Sequence, residues 1–388
     1  MSQRQPSGAS QSFHDRALAA LSDEAPAGPV RSCFARGEQY CLFASQSGAF
    51  KGVELLLEFP EPEDGGVLHS LDMPIELCVD GRAIFSGVWT TDVKVDGERL
   101  QPTDRWETLC VDPAERYAFC ERSIPLVGGR RLSRRILLSY NESLLVIADD
   151  LVPDDAERGD AKPRELRVAL PFAADVVARQ DAEARETTLL CQPHEAEPVR
   201  ESQGAAARKA PISEEEELLY ELDEPEEAPR KRETVVARVF PLGLPEWQAD
   251  ASRGELRITS ANELELTTLA SDSALFAPLV FDFNARRAAR PCAWRELTVG
   301  EKRKAAAAND AFGRRLQLGA EQYVLYASTS QEPAIRSVLS RNLISDFMFG
   351  KFLASRGVVP IVDVNGEEND EEESASENEA GASTEENA

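Results

Sequence analysis

Histidine is scarce in this 388-residue chain: only His14, His69 and His194 occur. A reaction that needs an imidazole base therefore has few places to find one. C-x-x-C pairs are missing too. The seven cysteines (Cys33, Cys41, Cys78, Cys110, Cys120, Cys191 and Cys292) are odd in number and scattered, which argues for thiols buried in a reducing compartment over a disulfide framework. In "CQPH", Cys191 and His194 lack a second pair of ligands, so no metal is expected. Neither a phosphate-cradling glycine loop ending in Lys-Ser or Lys-Thr nor a G-x-S-x-G elbow is present, and no cofactor is implied. There is no run of ~18 apolar residues to span a bilayer. The start, "MSQRQPSGASQSFHDRALAAL", lacks the charged beginning and apolar core of a secretory signal. The chain reads as cytoplasmic, with no membrane partner. An excess of positive charge is also absent. A net charge of -26 leaves no basic face for nucleic acid, because binding by counterion release requires one. No motif defines an oligomeric state.

The negative charge is concentrated. Residues Gly366–Ala388 hold ten Asp and Glu with no Lys or Arg, and Glu214–Glu227 ("EEEELLYELDEPEE") hold nine more with no base. The two segments supply 19 of the 26 net negative charges, leaving about -7 for the rest. Runs this acidic cannot bury enough apolar surface to offset ordering, so both are expected to be disordered. The expected organisation is a flexible segment with a short helix near Ser12 over 1–24, then a β-sandwich over 25–365. A disordered acidic insertion interrupts it at about 195–232, and an acidic tail occupies 366–388. Arginine greatly outnumbers lysine, a hint of a GC-rich genome.

What fills the remainder is β-type sequence. "QYCLFAS", "GVELLLEF", "MPIELCVDGRAIF", "VWTTDVKVDGERL", "RWETLCVD" and "RYAFCERSIPL" recur about every ten to fifteen residues, the spacing of a sandwich or barrel. Asp80-Gly81 and Asp96-Gly97 stand between apolar runs, and Asp-Gly permits the positive φ angles of a tight hairpin turn. "LSRRILLSY" and "SLLVIADDL" flank Asn141-Glu142 as a further two-residue hairpin candidate, and Gly319-Ala320 joins another pair. After the insertion come "ETVVARVFPL", "ELELTTLA", "ALFAPLVFDF" and others, giving roughly twenty strands with almost no helical periodicity. So many strands predict an all-β fold of two large packed antiparallel sheets. The lack of a fixed-period repeat counts against a propeller or solenoid.

The block from Leu68 to Val152 resembles the β-sandwich domain of heparinase II/III-like proteins, a polysaccharide lyase group. His69 and Asp72 precede the strand "PIELCVDGRAIF"; "GVWTTDVKVDGERL" follows; Arg134-Arg135 open an apolar strand; and "LLVIAD" closes on Asp149. The resemblance covers under a quarter of the chain. It implies a uronate lyase or a relative of one, with His69 as base, Asp72 orienting it, and the arginines on an acidic polysaccharide. The departures are substantial. The helical toroid that precedes the β domain in such lyases is missing, His69 stands alone, and no catalytic Tyr can be assigned.

Elementary geometry weighs against a grip formed by Arg130, Arg131, Arg134 and Arg135. Successive strand side chains point to opposite faces, so Arg131 and Arg135 cannot share a face with Arg130 and Arg134. One pair is expected over solvent and the other paired with Asp149 or Asp150 across the hairpin. Trp89, Trp106, Trp247 and Trp294 could stack on sugars, although tryptophan in strands more commonly fills a core. The basic runs "RRAARPCAWR" and "EKRKAAAA" lack the interleaved aromatics of a single-strand binder. The favoured expectation is a non-catalytic module that binds carbohydrate or a protein partner. The alternatives are a lyase acting on uronate-containing glycans and an acidic scaffold in which "LLYEL" is a docking helix.

Overall fold

The computed structural model describes residues 32–35, 40–45, 52–59, 70–152, 162–192, 233–271, 275–307, 310–330 and 334–364, the first two segments by backbone course alone. The expected N-terminal helix, all three histidines, the acidic insertion and the acidic tail lie outside the described residues.

The strands run in chain order. β1 (Ser32–Ala35), β2 (Tyr40–Ser45), β3 (Val53–Glu58), β4 (Met73–Val79), β5 (Arg82–Val95) and β6 (Glu98–Arg99) come first. β7 (Glu107–Pro113), β8 (Tyr117–Pro125), β9 (Arg131–Ser139) and β10 (Leu144–Val152) follow as a meander. Then come β11 (Arg164–Pro171), β12 (Val176–Gln180), β13 (Thr187–Cys191), β14 (Thr234–Pro241), β15 (Gly254–Ile258), β16 (Glu263–Ala270) and β17 (Leu275–Asp282). The last third holds β18 (Cys292–Glu296), β19 (Gly300–Glu301), β20 (Lys304–Ala305), β21 (Ala311–Leu318) and β22 (Glu321–Ser328). It ends with β23 (Arg336–Val338), β24 (Arg341–Leu343), β25 (Phe347–Leu353) and β26 (Gly357–Val364).

The described residues form four sheets, all with antiparallel pairing, where the sequence led us to expect two. A nine-stranded sheet has the order β1-β2-β3-β4-β5-β11-β16-β15, with β6 on β5. An eight-stranded sheet has the order β12-β13-β14-β17-β10-β9-β8-β7, a five-stranded one β18-β21-β22-β25-β26, and a four-stranded one β20-β19-β23-β24. Among the described residues, three apolar cores join them in series. The largest, with Leu77, Trp89, Ile136, Ile147 and Phe281, lies between the nine- and eight-stranded sheets. The second, with Phe119, Val146, Phe240, Trp294 and Phe349, lies between the eight- and five-stranded sheets. A small third core around Val299, Tyr326 and Val338 lies between the five- and four-stranded sheets.

The layering explains the strand sequences. β4 alternates buried and half-buried positions, as a sheet with one wet face should. β17 ("LFAPLVFD") is buried at every position, and β8 and β9 at nearly every one, because the eight-stranded sheet is covered on both faces. The Asp-Gly turns are as expected: Asp80 and Gly81 have φ of 52° and 73°, and Asp96 and Gly97 have 54° and 80°. The β9–β10 connection differs. Ser139 pairs with Leu144, so the loop has four residues, closed by Ser143 at φ 53°. The Ser143 conformation supplies the left-handed step for which Asn141-Glu142 was the candidate.

Candidate functional site

The arginine hairpin resolves first. Arg134 is fully buried and forms a two-pronged pair with Asp149 (Nε to Oδ1 2.7 Å, Nη2 to Oδ2 2.6 Å), directly opposite it on β10. Its Nη2 also donates to Thr91 Oγ1 at 2.7 Å, and its guanidinium lies 3.7 Å from the Trp89 ring centroid. The Thr91 amide in turn donates to Asp72 Oδ1 at 3.0 Å, and the Asp72 amide to Ser70 Oγ at 3.0 Å. Asp72 thus ties the β4 entry to β5. His69 lies outside the described residues.

Arg135 projects to the other face. It binds Asp150 at 2.6 Å and Glu121 at 2.8 Å, and Phe347 of the five-stranded sheet lies below it. Two carboxylates share this one cation in a dry site. Burial, helped by the charge of Glu121, outweighs Arg135 and pushes Asp150 up to about 6. Arg131, at the strand start, donates to Ser123 Oγ at 2.6 Å and reaches Glu107 at 3.4 Å, while Arg130 is buried. Alternation therefore holds, but the expectation of a solvent-facing pair fails. Arg134 and Arg135 are buried and bind the two layers above and below the sheet, while Arg131 at the strand start keeps its side chain 41% exposed. The four arginines do not converge.

The tryptophans separate in the same way. Trp89, Trp106 and Trp294 are core residues, whereas Trp247 is 55% exposed. It sits in the connection from β14 to β15, which crosses from the eight-stranded sheet to the nine-stranded one. One side chain organises this loop. Arg185, 2% exposed, donates to the carbonyls of Pro245 (2.9 Å), Trp247, Gln248 (3.4 Å), Asp250 (2.5 Å) and Gly254 (3.4 Å). Burial pulls its pKa down from the usual arginine value. Gln248 adds bonds from Nε2 to the carbonyls of Asp181 and Ala184, and the Trp294 indole donates to Leu244 O at 2.9 Å. The loop ends at Gly254, φ 117°, where a Cβ would stand 1.9 Å from Thr267 O.

Trp247 borders a pocket of about 440 Å³ with Glu246, Asp250, Arg253, Arg295, Glu296 and Arg314. A second pocket of about 220 Å³ shares Arg253, Glu296 and Arg314 and continues toward Phe276, Phe312 and Gly313. Glu296 bridges the shared wall, 3.3 Å from Arg253 and 3.1 Å from Arg314. Arg314 is 4% exposed, donates to Leu242 O at 2.8 Å and lies over the Phe312 ring at 4.5 Å. Burial, with Arg253 as a like-charged neighbour, pulls Arg314 down to about 10 against the pull of Glu296. Glu246 is raised by burial, opposed by Arg295. The site thus offers one aromatic face, guanidinium donors and carboxylate acceptors around a concave surface, the mixture that recognises a polyhydroxylated ring. Among the described residues no group of three or more His, Cys, Asp and Glu is placed to hold a metal. No helix among them is long and apolar enough to cross a membrane.

Composition pointed to four tryptophans without ranking them; only burial singles out Trp247. Arg185 carried no signal at all, because a guanidinium bound to backbone carbonyls leaves no partner motif in sequence. The other basic run, "RRAARPCAWR", is partly internal: Arg287 is spent on Asp282, Glu321 and Tyr323.

No family model matches the chain, and no curated protein matches it. Among solved structures it is similar to the heparan sulfate lyase HepC from Pedobacter heparinus, at 9% identity and a TM-score of 0.46, over 79% of this chain and 44% of that one. It is also similar to a heparinase III structure at 8% identity, TM-score 0.39, over 76% and 42% of the two chains. The heparinase III BT4657 gene product matches at 10% identity, TM-score 0.38, over 74% and 41%. The chain spans less than half the length of each. What the site can do rests on its own residues.

Proposed function

We propose that this chain is a non-catalytic β-sandwich module that binds carbohydrate at the Trp247 pocket. The observation that carries this reading is a solvent-facing indole on a loop whose backbone is held by a buried arginine. Ordering a side chain or loop on binding costs about 0.5–1.5 kcal/mol per immobilised side chain; here the loop is already held, so the indole can act as a fixed platform. A pyranose ring presents its apolar C–H face to such a surface, and its hydroxyls can reach Arg253, Arg295, Glu246 and Glu296 around the pocket.

Titration of the purified chain against a panel of neutral and acidic oligosaccharides, followed by tryptophan fluorescence and calorimetry, tests it. Trp247→Ala should lose binding while Trp247→Phe retains part of it. Equal affinity of wild type and Trp247→Ala for every glycan would sink the proposal. The same panel, monitored at the unsaturated-uronate absorbance band with His69→Ala and Asp72→Ala as controls, tests the lyase reading. Product formation that those variants abolish would replace the binding module by an enzyme.

A further inference from the structure

We propose that Arg253 and Arg314 form a binding site for a small carboxylate, which displaces Glu296 from between them. Nothing in this depends on Trp247 binding a sugar. Three buried arginines set the pattern for charge compensation in the fold. Arg134, Arg135 and Arg287 each bind an acid at 2.6 Å, and those acids, Asp149, Asp150 and Asp282, are themselves sealed from water. Arg314 is buried as deeply, but the acid beside it is Glu296, 3.1 Å away and 60% exposed. The same oxygen of Glu296, Oε2, also stands 3.3 Å from Arg253. Ionic hydrogen bonds close to about 2.7–2.9 Å where the partners fit. One loosely held carboxylate oxygen therefore serves two guanidiniums. Among the described residues no other acid forms an ion pair with either.

Arg314 also keeps a donor in reserve. Its Nε donates to Leu242 O at 2.8 Å and its Nη1 to Gly313 O at 3.1 Å. Nη2 has no hydrogen-bond partner among the described residues, and the side chain lines both pockets. The Phe312 ring, 4.5 Å from the guanidinium, backs it and is itself held by Phe276 at 4.6 Å. The edge formed by Nη1 and Nη2 is thus preset for an acceptor with two coplanar oxygens, which is a carboxylate. Glu296 stands directly opposite Arg314 in the β18–β21 register and meets it through one oxygen. Because β18 is an edge strand, Glu296 can turn into water without disturbing a neighbouring strand. Its departure opens the pocket of about 220 Å³, where Phe276, Leu297, Val299 and Phe312 can receive a short aliphatic tail. Exchanging one carboxylate for another keeps both arginines compensated, so neither is left as an unpaired buried charge.

Titration of the full chain with propanoate, followed by saturation-transfer NMR, tests the proposal, with propanamide as the uncharged counterpart. Propanoate should bind and propanamide should not. Glu296→Gln removes the competing carboxylate and should tighten propanoate about tenfold, the scale of one hydrogen bond to a charged group. Arg253→Gln, at a half-exposed position that the fold tolerates, should weaken it several-fold. Glu255→Gln removes an exposed acid beside Arg257, outside both pockets, and should leave the affinity unchanged. Equal affinity of wild type and Glu296→Gln, an equal gain in Glu255→Gln, or propanamide binding as tightly as propanoate would each overturn the proposal. The probe carries no sugar, so its result stands apart from that of the oligosaccharide panel.

Discussion

Arg134 and Arg185 are both buried guanidiniums in the same fold, yet their partners are of different kinds. Arg134 faces Asp149 across a strand pair, between two aromatic rings and two sheets. Arg185 faces the backbone carbonyls of a surface loop. The first arrangement neutralises a charge within a core and leaves nothing to offer a ligand. The second holds a backbone in one course and thereby presents Trp247. A pair of arginines in a strand is the more visible feature in sequence, and it is structural. The feature suited to recognition depends on a lone arginine sixty-two residues from the tryptophan it positions.

Substitutions can break this contrast. The largest effect is expected for Arg134→Ala, which leaves Asp149 buried without its partner and should destabilise by about 3–5 kcal/mol in urea unfolding. Replacing both, Arg134→Met with Asp149→Leu, should recover most of that loss. If the double variant is as unstable as the single one, the pair matters through its fit to Trp89 and Thr91 more than through charge. Arg185→Ala comes next, at about 2–3 kcal/mol, because carbonyls released near the surface can bind water. It should also open 245–254 to limited proteolysis and weaken any ligand that Trp247 holds. An unchanged cleavage pattern would show that Gln248 and the Trp294 contact suffice to hold the loop.

A smaller, pH-dependent effect belongs to Arg135. Asp150, at about 6 in the fold, is held above the ~4 of an unfolded chain. The native state therefore binds this proton more tightly. Its contribution to stability is complete below pH ~4 and is lost as pH rises through about 6. Comparing wild type with Asp150→Asn between pH 4 and 7 should show wild type losing stability relative to the variant as pH rises; parallel curves would mean that Arg135 fully compensates both acids. The smallest effect has the opposite sign. Changing Lys302-Arg303 to Asn-Gly should stabilise by about 1 kcal/mol through relief of left-handed strain at φ 47° and 66°, read by urea unfolding; an unchanged midpoint would mean that the turn carries no such strain.

Much of the fold was legible. The period-two alternation in "MPIELCV" became β4 with one face buried, and both Asp-Gly pairs became tight turns. The number of sheets was not legible. "LFAPLVFD" reads as a buried strand, but a continuous apolar run does not say how many layers cover it. The site was less legible still. Asp72 was noticed for a motif and serves as a backbone acceptor for Thr91. Trp247 was one name among four, because exposure is a property of the packed chain, and Arg185 and Arg314 spend donors on carbonyls that every residue possesses.

The sequence by itself determined the β class, the hairpin turns and the opposite facing of Arg134 and Arg135, because these follow from φ preferences and strand alternation acting on neighbouring residues. Tertiary structure alone decided that both faces of the central sheet are covered, which acids neutralise its arginines, and which tryptophan meets solvent. Those outcomes depend on contacts between residues far apart in the chain, for which a local pattern carries no record.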